Sequence, residues 1–142
     1  MNDNKALLTS VLNVTQMGQI GIRSALDTKL PTQLRKAVVS QLKEYDKIET
    51  EAKMIAQKNS WTLKDVNPAA RKMADMMTKV RLSYGNKGEK LAAMMIQGNT
   101  RGMIVGIKDR HNTRCNNADV LALSQKLLDT EDRNIKQMQG FL

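Results

Sequence analysis

Apolar positions along this chain return at intervals of three and four rather than two, and so mark out helices rather than strands. From Lys5 to Asp27, Leu8, Val11, Thr15, Gly18, Ile22 and Ala25 share one face, with N-cap candidates at Asn2 to Asn4. A short turn ending at Pro31 leads into a second helix, predicted from Pro31 to Lys58. Its inner stripe is Leu34, Val38, Gln41, Tyr45, Glu49, Ala52 and Ala56. Asn59 to Val66 breaks the period, and Asn67-Pro68 then supplies an N-cap and a first helical position. The third, shorter helix runs to about Tyr84, with a stripe of Ala69, Met73, Met76, Met77, Val80 and Tyr84. Beyond Gly85 to Gly88 a fourth helix continues to about Cys115. After a reversal at Asn116-Asn117, a fifth spans Ala118 to Phe141, its stripe including Val120, Ser124, Leu127, Glu131 and Met138.

The fourth helix is the unusual one. Its stretch KLAAMMIQGNTRGMIVGI, Lys90 to Ile107, is apolar on nearly every side, and a helix hydrophobic all round is normally buried. Gly98, Gly102 and Gly106 fall on one ridge at four-residue spacing. Each glycine costs roughly 1 kcal/mol inside a helix, so the ridge, with Gly18 on the first helix, predicts close helix packing. Ile96, Met103, Ile104 and Ile107 occupy the opposite face.

Short turns make hairpins of the first two and last two long helices. The connection between the hairpins, with its own short helix, is long enough to carry the chain back along the bundle. The second and fourth helices then run parallel. The expectation is a single all-α domain over residues 1–142: an antiparallel four-helix bundle with an extra helix in the long crossover between the second and third bundle helices. The segment LRKAVVSQLKEYDKIETEAKMIAQKNSW resembles the second helix of small bacterial ferritin-like domains of unknown function, and of spore-coat-type relatives. ALSQKLLDTEDRNIKQMQGFL resembles their closing helix. The resemblance implies a ferritin-like fold and suggests a spore- or stress-associated role.

It also poses a question of metal chemistry. A di-iron bundle needs a Glu on each of two helices and Glu-x-x-His on each of the other two. Here Glu49 is followed three residues on by Ala52, and Glu131 by Asn134. The first helix offers Thr15 and Gln19, the central one Gly98 and Gly102. The two carboxylates should also differ by about 10 Å along the axis, at about 1.5 Å per residue. Glu49 and Glu131 are therefore weak metal candidates, and the expectation is a degenerate site with no cofactor and no catalysis. His111 and Cys115 stand four apart, but zinc wants three or four protein ligands and there is no second pair.

Composition narrows the rest. Ten Met against one Phe indicates a core of flexible, unbranched side chains. The net charge of +9 is spread over both halves, and with aromatics at 3% there is little to stack on bases, so no specific nucleic-acid binding is expected. The N-terminal stretch is too polar for a signal peptide, and no run of 18 apolar residues exists. A single Cys fits a reducing compartment. These features predict a cytoplasmic protein, away from membranes, that works through its surface. The alternative is a bundle that binds a metal or small ligand in its core. Met73, Met76 and Met77 form the candidate interaction face together with Met103, Ile104 and Ile107. The two stripes should largely cover each other within the chain, and what stays exposed should support a homodimer.

Overall fold

Asparagine starts four of the five helices. In the computed structural model, which describes residues 2–142, α1 (Asp3–Leu26) begins where the Asn2 side chain accepts the Lys5 N–H. α3 (Pro68–Leu82) is capped by Asn67 on Ala69, α4 (Lys87–Asn112) by Asn86 on Glu89, and α5 (Ala118–Gln139) by Asn117 on Val120. Each such cap satisfies a backbone donor that the helix itself leaves free, for about 1 kcal/mol. α2 (Thr32–Lys58) has no side-chain cap and starts instead from Pro31. The described residues contain no strand, so the all-helical reading holds, with helix ends within a few residues of those expected.

The four long helices pack in a ring in the order α1, α2, α5, α4, and α1 also meets α5 across the centre. Side-chain pairs fix the directions. Gln41 bonds Gln137 at one end of α2 and Lys58 pairs with Asp119 at the other, so α2 and α5 are antiparallel. Asn4 bonds the Asn116 and Asn117 backbone and Ser10 donates to Asp109, so α4 ends where α1 begins. The core between them holds Leu8, Leu12, Ile22, Leu34, Ile48, Leu91, Leu123 and Met138, all essentially inaccessible.

Gln16, itself buried, ties the crossover down. Its Nε2 donates to Asp65 at 2.7 Å and Glu49 at 3.1 Å, and its Oε1 accepts the Val66 N–H at 2.9 Å. From there α3 runs parallel to α1, packing along it and only lightly against α4. Ser24 of α1 donates to Asp75, Lys79 pairs with Asp27 and Asp75, and Thr78 and Leu82 are buried.

Two expectations are corrected by this seat. α3 turns Ala74, Asp75, Thr78 and Leu82 inward, so its methionine stripe faces out: Met73 is 63% exposed, Met76 65% and Val80 56%. α4 is not buried all round either; only Gly88, Leu91, Ala92, Asn99 and Gly102 are inaccessible, while Ile104 and Ile107 are exposed and Met103 is half-buried. The two apolar stripes therefore do not cover each other. The polar anchors Asp75 and Lys79 find their interhelical partners at the end of α1, and that roll of α3 carries Met73 and Met76 away from the bundle. Leu82→Ala should accordingly cost about 2–5 kcal/mol in urea unfolding, whereas Met76→Asp should change monomer stability by no more than about 0.5 kcal/mol.

Candidate functional site

Four helices contribute to one buried polar cluster. The Tyr45 hydroxyl on α2 donates to Asn99 Oδ1 on α4 at 2.6 Å and accepts from Asn134 Nδ2 on α5 at 3.3 Å. Asn99 Nδ2 donates in turn to the Met95 carbonyl one turn back. Gly18 on α1 lies under the Tyr45 ring, where a Cβ would sit 2.8 Å from its carbons. Beside the phenol stands Glu131, 1% exposed, its Oε1 fully buried with no hydrogen-bond partner.

This cluster is the floor of a cleft of about 510 Å³, within the roughly 300–1,000 Å³ usual for small-molecule sites. The cleft exists because α3 leans on α1 and stands off α4. Its walls are Met17 and Ile22 from α1, Met77 from α3, and Met94 and Val105 from α4, with Arg81 and Arg101 at the exposed edge. Asn13 also lines it, and its buried Oδ1 has no partner.

The glycines take on two different roles here. At Gly102 a Cβ would collide with the Glu131 carboxyl and with Val14, and at Gly106 it would press on Leu128. The close neighbours of Gly18, Gly102 and Gly106 are thus side chains, not the helix backbones that the spacing suggested. Gly98 and Gly21 have nothing within 4 Å of an added Cβ and border the cleft. Close helix packing at Gly98 is therefore corrected: it opens onto space that a side chain would fill.

The two acidic side chains singled out from sequence lie apart and behave oppositely. Burial pushes Glu131 up to about 8, with no compensating charge. At Glu49 burial also pushes upward, but hydrogen bonds from Gln16 and Gln19, with Lys53 and Arg23 nearby, outweigh it and hold the carboxyl below its usual range. The Tyr45 phenol is raised strongly, first by burial and then by Glu131, against the bond from Asn134. Glu131 is thus a neutral acid near neutral pH and Glu49 an anion satisfied by amides. A di-metal centre does not fit this donor set: around Glu131 stand a phenol and two asparagines, and Glu49 is committed elsewhere. Among the described residues no three His, Cys, Asp or Glu side chains gather to hold a metal. His111 and Cys115 share no helical face, because α4 ends at Asn112; His111 is exposed and Cys115 half-buried.

Sequence reasoning placed Tyr45 and Glu131 in inner stripes but missed Asn99 and Asn13. Asn99 is a polar residue flanked by glycine and threonine on an apolar helix, and that contrast was the available signal. None of the helices is long and apolar enough to cross a membrane. No protein-family model, curated protein or solved structure matches the chain.

Two measurements probe this geometry. Gly102→Ala should destabilise by about 1–3 kcal/mol through overpacking, and Glu131→Ala in the same chain should recover part of that loss. Gly98→Ala should instead stabilise by up to about 1 kcal/mol through helix propensity. The second measurement is stability against pH. Between the unfolded value near 4.5 and the folded value near 8, the native state binds the Glu131 proton and the unfolded state does not. Stability contributed by this group is therefore full below that window and falls as pH rises through it, by up to about 1.4 kcal/mol per pH unit. Glu131→Gln should flatten the slope between pH 5 and 8 in thermal unfolding and make the protein more stable than wild type at pH 8.

Proposed function

We propose that this protein is a non-catalytic, ferritin-like helical bundle whose metal ligands are lost and which works by binding, with the cleft between α1, α3 and α4 as its site. The helix order and directions support the ferritin-like assignment, as does the exchange of Glu-x-x-His for Glu-x-x-Asn at Glu131 and Asn134. One observation carries the binding assignment: a buried acid with an unpartnered oxygen at the floor of an apolar cleft whose edges are glycines with free space above them. Apolar walls with a few convergent polar groups are the usual make-up of a small-molecule site. The ligand this shape fits is a small amphipathic molecule, its chain along Met17, Met77 and Met94 and its polar end at the floor. Methionine walls suit such a guest because they adapt to irregular shapes. Acid–base catalysis finds less support, since the floor pairs its one acid with amides and a phenol and has no histidine.

The exposed stripe Met73, Met76, Met77 and Val80 supports a second reading, a two-fold contact in which this face of α3 meets its copy. Met77 both walls the cleft and belongs to that stripe, so self-association and ligand binding would be coupled there. Under this reading Met76→Asp yields a folded monomer by sedimentation.

The test of the binding assignment is calorimetry and thermal shift with an eight-carbon series of octanol, octanoate and octylamine. At least one should bind at a single site and raise the Tm by mass action. Gly98→Leu should abolish that binding while folding at least as stably as wild type. Absence of binding by these three and by 8-aminooctanoate, or unchanged binding to Gly98→Leu, would overturn the assignment.

A further inference from the structure

The buried polar atoms left without a partner at the floor are both oxygens. Tyr45 spends its only proton on Asn99, and Asn99 donates to the Met95 carbonyl. Glu131 Oε1 and Asn13 Oδ1 are buried and unpartnered. A guest that brings donors can meet both oxygens, taking Glu131 as its carboxylate, and a primary ammonium brings three from a single atom. An ammonium also turns the Glu131 contact into a charge-assisted pair, roughly twice as strong as a neutral hydrogen bond.

Charge elsewhere argues against a bare cation. The chain carries +9, and the cleft edge presents Arg81 from α3 and Arg101 from α4. Those two guanidiniums suit a carboxylate or phosphate at the outer end of the guest. We infer that the cleft takes a zwitterionic amphiphile, its primary ammonium on Glu131 and Asn13 and its acidic end beside Arg81 and Arg101. This rests on the cleft being a ligand site at all, and it names the chemistry of what enters.

Binding carries a proton balance. The charged or titratable groups bordering the cleft besides Glu131 are Tyr45 on α2, Arg81 on α3 and Arg101 on α4; α1 contributes none. Near neutrality Glu131 holds a proton it can release, because burial keeps its acid form. When the ammonium arrives, Glu131 gives its proton to solvent and its carboxylate pairs with the guest, while the guest keeps all of its own protons. Below pH 7, one bound guest should release close to one proton.

The experiment is titration calorimetry of the full chain at pH 6.5 with 8-aminooctanoate, octylamine, octanoate and octanol, repeated in two buffers of different ionisation enthalpy. Expected is tightest binding by 8-aminooctanoate, at least tenfold tighter than octanoate, with release of about one proton per guest. Glu131→Gln, a neutral isostere of the buried acid, should fold normally, lose the preference for the amine and release no proton. Arg81→Ala combined with Arg101→Ala should weaken 8-aminooctanoate but leave octylamine unchanged. Octanol or octanoate binding as tightly as the amines would overturn this inference while leaving the cleft a ligand site. An amine preference that survives Glu131→Gln would overturn it as well. Failure of all four probes would overturn both.

Discussion

Glu131 is buried without a counter-charge, and much of the centre of the molecule is arranged around that fact. Its carboxyl lies over Gly102 on α4, next to Val14 on α1 and the Tyr45 phenol on α2. The phenol cannot swing away, since Asn99 and Asn134 hold its oxygen from two helices and Gly18 receives its ring. Seven side chains or gaps on four helices thus depend on one another. Burial keeps the acid neutral, and an ionised form would introduce a charge that nothing nearby balances.

A more stable chain is easy to imagine. A buried acceptor without a partner costs about 1–3 kcal/mol, and each glycine inside a helix roughly 1 kcal/mol. Gly21 and Gly98 have no packing reason to be glycine, because neither faces a neighbour. Yet Glu131, Asn13, Gly21 and Gly98 all border the same cleft. Departures from local consistency that converge on one place mark a functional site better than any one of them alone. α3 belongs to the same arrangement. It is fastened to α1 by Ser24, Asp27, Asp75 and Lys79, so its other side stands clear of α4 and the cleft remains open.

The five helices, and the starts of all but α4, were written in the sequence, because helical periodicity and capping residues are local properties; α4 begins at Lys87, inside the turn expected to run to Gly88. The inner faces of α1, α2 and α5 were equally legible: Leu8, Val11, Leu34, Val38, Val120 and Leu127 are buried as their spacing required. Periodicity alone could not decide how α3 would roll. Its apolar stripe was the stronger local signal, but Asp75 and Lys79 found partners on α1, and only the tertiary structure brings those partners near. The same holds for the glycine ridge. Sequence showed that small residues were required on α4; whether they admit a backbone, a carboxyl or a cavity depends on what the other helices place opposite. Glu131 was a weak metal ligand in the sequence and becomes a neutral acid in the fold, because burial and the absence of a nearby charge are properties of four helices packed together and of no single segment.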